Sequence, residues 1–228
     1  MPALRGTPQS ASIGANNCQV NVPAGVVNGD FMLAAIAGFK TAGVTPATPV
    51  DPAGWTKIGV ASSGLPAVDN VQVAWYYRVA ASEPAQYTFA ITQGLGDLFI
   101  DADIIAFRDV DVTTPFNLAG VSAVGSSATP TTADLGPTTV DACWHVCRFT
   151  SYSGLITTGP SGYVDDLRYD SGSEELSHRI VTVAGATGAR SVTATSADGW
   201  VAWACALEPV VGVSSYTMPY WYNPSRVH

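Results

Sequence analysis

The sequence predicts an all-β protein: a two-sheet β-sandwich of jelly-roll-like form, built from two pseudo-repeated halves and followed by an extended C-terminal tail. Three observations predict it. The residue mix favours strands, with 26 Val and 22 Thr against 11 Leu, and 14 Asp against 4 Glu. Val and Thr are stiff at χ1 and fit a pleated surface, whereas Leu, Glu and Lys, the helix formers, are scarce. The chain is punctuated by 22 Gly and 15 Pro, which with Asp belong in turns. Finally, short apolar or alternating runs recur along the chain, while no stretch longer than a turn or two keeps a 3.6-residue period.

Taken in order, the runs predict strands over 18–22, 31–39, 55–62, 71–80, 86–92 and 98–110 in the first half. Those of the second half fall over 142–150, 163–169, 177–184, 190–195 and 200–208. Turn signals fall between them at VNGD 27–30, PAGW 52–55, TTPF 113–116, GPSG 159–162 and ADGW 197–200. The stretch 118–137, rich in Ser, Thr, Ala and Gly, reads as a connector between halves. The halves themselves run in step. Asp30 matches Asp141, Gly54 matches Gly162, Val79 matches Val183 and Ala106 matches Ala206, at offsets of 111, 108, 104 and 100 residues. A shrinking offset is what slightly shorter loops in the second half produce.

Four or five strands with one apolar face cannot stand alone, and two such sets bury each other's faces. Residues 1–209 are therefore expected to form a single sandwich, with pseudo-repeats about 20–117 and 130–209. The strands before Asp30 have no evident counterpart before Asp141, which favours one domain over two. Residues 210–228, VVGVSSYTMPYWYNPSRVH, form a separate aromatic tail. Tyr216, Tyr220, Trp221 and Tyr222 gain too much from burial to be left in water, so the tail is expected to dock on its own sandwich or on a neighbouring subunit.

Composition narrows the function. Charged residues make up 12% of the chain, 47% is hydrophobic and the net charge is −8. A disordered chain has the reverse balance. Two lysines in all, Lys40 and Lys57, remove the basic footprint of a nucleic-acid binder and of a protein drawn to an anionic membrane. The opening MPALRGTPQSASIGANN lacks the apolar core of a secretory signal, and the apolar run 31–39 is half of the ~18 residues of a membrane helix. Synthesis in the cytoplasm, with Cys18, Cys143, Cys147 and Cys205 reduced and buried, is the expectation.

Several constellations invite a chemical reading. Cys143, His145 and Cys147 alternate along one strand and share a face, with Cys205 on the last strand as a fourth zinc ligand. Neighbouring same-face side chains lie some 7 Å apart, however, so buried cysteines beside a histidine are the expectation. Asp101 and Asp103 share a face opposite Ile100, Ala102, Ile104 and Ala106. A glycosidase pair is the chemical reading; two outward-facing surface acids near Arg108 is the expected one. Ser177 and His178, after Glu174 and Glu175, lack the G-x-S-x-G elbow of a hydrolase. The Gly94-Leu95-Gly96 stretch precedes no helix and is not a phosphate loop. Asp109, Asp111, Asp165, Asp166 and Asp170 lie in turns without the order of a calcium loop. Trp75 and Tyr77 fall with Val71, Val73 and Val79 on the core face, as Trp203 does with Val201, Cys205 and Leu207. Tyr76 and Arg78 then face the other way, where a sugar-stacking platform would lie. Trp55 and Tyr163 follow matching P-x-G turns as paired anchors. No catalytic residue, metal site or cofactor is expected, and the protein is expected not to be an enzyme.

The ordered set NGDFMLAAI, PAGWTKIG, AWYYRVA-x-x-EP-x-x-YTF and IIAFRDVD-x-x-x-PF, closing on WVAWACALEP, resembles a β-sandwich structural family of tailed-phage virions. The resemblance spans roughly residues 20–209 and leaves out the aromatic tail. It implies a two-sheet sandwich that decorates the capsid or forms part of the tail or fibre, on a virion assembled in the host bacterial cytoplasm. The partners it implies are other virion proteins and further copies of the chain, and no catalytic residues come with it. The alternative reading is a carbohydrate-binding adhesion module for host surface glycans.

Overall fold

The computed structural model describes residues 3–40, 47–64, 70–92, 99–168 and 173–210. Among them there is no helix, and the architecture is all-β as expected. The first sheet contains β1 (Ala3–Leu4), β2 (Gln9–Ile13), β4 (Phe31–Lys40), β5 (Thr56–Ser62), β6 (Asn70–Val79) and β8 (Phe99–Arg108). Its order is β1-β8-β4-β6-β5, with β2 also pairing β8. The second contains β9 (Phe116–Ser127), β10 (Cys143–Ser151), β12 (Val164–Arg168), β13 (Glu174–Val181) and β15 (Asp198–Leu207), in the order β12-β13-β10-β15-β9. Two ribbons complete the fold: β3 (Asn17–Asn21) with β7 (Gln86–Ala90), and β11 (Ile156–Thr158) with β14 (Thr193–Ala194). The named strands pair antiparallel throughout.

The sheets pack face to face. Phe31, Leu33, Ala35, Val73, Trp75, Ile105 and Phe107 of the first meet Trp144, Val146, Leu176, Val201, Trp203 and Leu207 of the second. At the centre the Trp75 and Trp203 rings stack, 5.5 Å between centroids and 13° apart. The outer faces are covered as well. Met32, Ala34, Ile36, Tyr76, Ile100 and Ile104 lie beneath the β3–β7 ribbon, packed with Cys18, Val20, Trp55 and Phe89. Cys147, Phe149, Trp200 and Ala202 are likewise covered by Ile156 and Val192 on the far side of the second sheet. A strand buried on both faces reads as a continuous apolar run, which is why FMLAAIAGF at 31–39 shows no alternation.

The connections within the two sheets follow the same course. The first places β8, β4, β6 and β5 side by side; the second places β15, β10, β13 and β12. The turns Pro52–Trp55 and Pro160–Tyr163 match in detail. Trp55 N–H donates to the Pro52 carbonyl and Tyr163 N–H to that of Pro160, each at 3.2 Å. Gly54 and Gly162 take φ of 77° and 79°, the left-handed third position of a type II turn. Each turn delivers its aromatic ring to the outer face of its sheet.

One expectation requires correction. The stretch 118–137 is not merely a connector, because 116–127 forms β9, the longest strand at 12 residues. Its glycines serve the neighbouring tryptophans: a Cβ on Gly120 would sit 2.3 Å from Trp203 Nε1, and one on Gly125 2.5 Å from the Trp200 ring. Of the strands before Asp30, β2 flanks β8 as β9 flanks β15. A Gly120→Val substitution is expected to displace Trp203 from Trp75 and to cost about 1–3 kcal/mol, read as a lowered midpoint in denaturant unfolding. An unchanged midpoint would mean that the tryptophan pair does not depend on that glycine.

Candidate functional site

The strongest concentration of charge lies between the sheets. Arg148, at the middle of β10, points into the inter-sheet core and is 2% exposed. Its Nε donates to Asp103 Oδ2 at 2.7 Å across the sandwich, and its Nη2 to Glu174 Oε1 on β13 at 2.5 Å. Nη1 donates to Thr150 Oγ1. Burial works against the charge of Arg148, but Asp103 and Glu174 outweigh it and raise its pKa. Burial also holds Glu174 well above the usual carboxylate range, against the pull of Arg148. Asp101, at the edge of the same cluster, is raised for the same reason despite a hydrogen bond to Ser12.

Asp101 and Asp103 were expected to face outward; both are buried. The alternation rule assumes one wet face, and β8 has none. Its even residues pack under the β3–β7 ribbon, while Asp103 faces the second sheet with Ile105 and Phe107. A void of about 10 Å³ adjoins the Asp103–Arg148 pair, at the lower limit for a single water molecule. The cluster therefore has no room for a substrate. Its chemistry is to tie one sheet to the other.

A second polar cluster lies on the outer face of the second sheet. Cys143, His145 and Cys147 do share that face, opposite Val181, Arg179 and Ser177 on β13. Arg190 Nε donates to the Tyr163 hydroxyl at 3.1 Å, and that hydroxyl lies 2.5 Å from His145 Nδ1. His145 Nε2 in turn lies 3.8 Å from Cys147 Sγ. Desolvation, with Arg179 and Arg190 nearby, lowers the His145 pKa to about 4. The ring is thus neutral near pH 7, and the network assigns its proton to Nε2. Burial pushes the Cys147 thiol up to about 12. A thiol held protonated in this way is neither a good nucleophile nor a good zinc ligand. Cys205 faces the inter-sheet core and does not join the cluster. Among the described residues no three His, Cys, Asp or Glu side chains are placed to hold a metal ion.

The other singled-out residues scatter. Ser177 and His178, being adjacent on a strand, point to opposite faces. His178 lies against the Trp144 ring, 4.3 Å between centroids, with Nδ1 2.5 Å from Asp166 Oδ2. Glu174 and Glu175 are buried. Asp111 Oδ1 caps its own turn through the backbone N–H groups of Thr113 and Thr114. Tyr76, expected on an exposed face with Arg78, is fully buried, and its hydroxyl donates to Asp51 Oδ1 at 2.9 Å. The ribbon that covers this face removes the sugar platform. Arg78 is held by Glu83 at 3.0 Å. Trp75, Tyr77 and Trp203 pack in the core as expected. Asp170, Gly94-Leu95-Gly96 and the aromatic residues Tyr216, Tyr220, Trp221 and Tyr222 lie outside the described residues.

Sequence reasoning overlooked Arg148 and so did not join Asp103 to Glu174 through it. The available signal was a lone arginine inside the otherwise uncharged run CWHVCRFT, where a charge must find a buried counterion. An open groove of about 430 Å³ lies at one end of the sandwich. It is walled by Arg5, Asp30, Arg108, Asp109 and Val210. Arg5 clamps Asp30 there through Nε at 2.8 Å and Nη2 at 3.1 Å, so this arginine is already engaged.

Two outcomes test these assignments. Arg148→Met leaves buried carboxylates without their cation and is expected to cost about 3–5 kcal/mol in denaturant unfolding; the combined Asp103→Leu, Arg148→Met, Glu174→Leu variant is expected to recover most of that loss. Recovery by the triple variant separates an unbalanced charge from a packing defect. For His145, the folded pKa of about 4 lies below its ordinary 6.5, so the unfolded chain takes up the proton first. Stability is then lost as pH falls from 6.5 to about 4, by about 3 kcal/mol from this group. The raised carboxyls Asp101, Glu174 and Asp166 act in the opposite sense, their contribution being lost as pH rises. The comparison that isolates the histidine is wild type against His145→Gln, whose stability is expected to fall less over that window. Identical pH profiles would contradict the buried neutral ring. Comparison with known proteins yields no match to a family model, to a curated protein or to a solved structure.

Proposed function

We propose that the chain is a non-enzymatic structural subunit of a tailed-phage virion, decorating the capsid or forming part of the tail or fibre. One observation carries the non-catalytic half of this reading. Two clusters of ionisable side chains lie in the interior, where Arg148 is paired with Asp103 and Glu174, and His145 and Cys147 are held uncharged. A protein built this way uses its polar chemistry to hold its shape. The virion half rests on the sequence resemblance and on a skin of few charges suited to lasting protein contacts. Tyr76, the ring that a glycan-adhesion reading would use for stacking, is enclosed and gives that alternative no support.

The test is particle composition. Virions released by the source bacterium, purified on a density gradient, are expected to contain the chain at a fixed copy number per particle. A variant lacking residues 210–228 is expected to keep the wild-type melting temperature and to be missing from the particles. Normal incorporation of the truncated chain would remove the docking role of Tyr216, Tyr220, Trp221 and Tyr222. Absence of the full chain from particles would overturn the virion reading itself.

A further inference from the structure

The two sheets end in four edges, and three carry devices that discourage further pairing. The β1–β2 edge is split into two short pieces around Pro8. The β5 edge carries Lys57, held to Asp51 at 2.8 Å, and a bulge between Lys57 and Gly59. The β12 edge places Asp165, Asp166 and Arg168 within five residues and bulges between Asp165 and Leu167. The fourth edge, β9, differs. Its twelve residues, FNLAGVSAVGSS, include no charge and no proline. Its register with β15 shifts twice near its start, between 116 and 121, and then runs unbroken from Val121 to Ser127. Among the described residues no backbone group of 116–127 bonds to anything except β15. Val121 and Val124 are 41% and 47% exposed. β5 of the first sheet lies alongside without hydrogen bonding it.

We propose that β9 is the contact between two copies of this chain, the two β9 strands pairing antiparallel across a two-fold axis normal to the sheet. Two five-stranded sheets then become one of ten strands. Charge argues for a second copy over an unrelated partner. Each chain carries −8, so identical molecules approach at least cost where the surface is neutral. An uncharged strand also offers a charged partner nothing to recognise. Geometry permits the pairing. A two-fold normal to the sheet sets residues of equal parity opposite each other, and centring it on Ala123 places Val121 against Gly125 and Val124 against Ser122. Large side chains then face small ones along roughly 30 Å of strand. This surface is independent of where the protein assembles, so it stands or falls apart from the virion reading.

The test is the mass of the full chain by light scattering over a dilution series. Wild type is expected to reach twice the 23.6 kDa of one chain. The Val121→Lys, Val124→Lys double variant is expected to weaken the dimer at least about tenfold, since like charges are brought together across the axis, while melting at the wild-type temperature. Hydrogen exchange on wild type supplies a readout free of mutation: the outward β9 amides are expected to be protected when concentrated and to exchange on dilution. A wild-type chain that stays monomeric, or a dimer whose β9 amides exchange freely, would overturn the proposal.

Discussion

The structure depends on burying both faces of both sheets. A two-layer sandwich needs one apolar face per sheet, but here the β3–β7 ribbon covers the outer side of the first, and Ile156 and Val192 lie over that of the second. The central strands β4, β8, β10 and β15 therefore have no wet side, and a charged group on them is stabilised only by a partner inside. This constraint explains why a chain with so few charges places several of them in its core. Asp103 would be intolerable between the sheets without Arg148, and Arg148 equally so without Asp103 and Glu174.

The same constraint shapes what the protein can do. The two interior clusters are closed off from water by the layers that cover them. His145 is pinned between Tyr163 and Cys147, with Arg190 closing the chain of hydrogen bonds. Arg179 and Arg190 lie over the Tyr163 ring at 5.2 and 5.7 Å, so cations and ring brace the covering layer. Such a network fixes one arrangement of strands and loops. It suits a protein whose task is to persist in a given shape and present a surface.

Much of this was legible in the sequence, and the failures have physical causes. Short apolar runs bounded by polar and turn residues located the central strands to within a few residues, because burial on both faces makes them continuous. The P-x-G turns before Trp55 and Tyr163 were readable because only glycine takes the required φ cheaply. Asp101 and Asp103 were assigned outward since alternation cannot distinguish a solvent face from a second buried face. Tyr76 was misplaced by the same error. The β9 strand resembled a connector because its small residues are chosen to fit Trp200 and Trp203, a requirement imposed by residues some eighty positions away. The pairing of Arg148 with Asp103 is likewise a long-range fact, set by which sheets face each other.

The four cysteines provide the most direct measurement of the central claim, because they sample different layers. Cys18 lies on β3 of the covering ribbon, packed against the first sheet, Cys143 and Cys147 on the outer face of the second sheet, and Cys205 between the sheets; all are free and buried. Native-state labelling with a chromogenic disulfide reagent reads each layer separately when followed by peptide mapping. Burial of both faces predicts that all four thiols react only at the rate of global unfolding. Prompt labelling of Cys18, or of Cys143 and Cys147, in the folded protein would show that an outer face is open to water and would contradict the account.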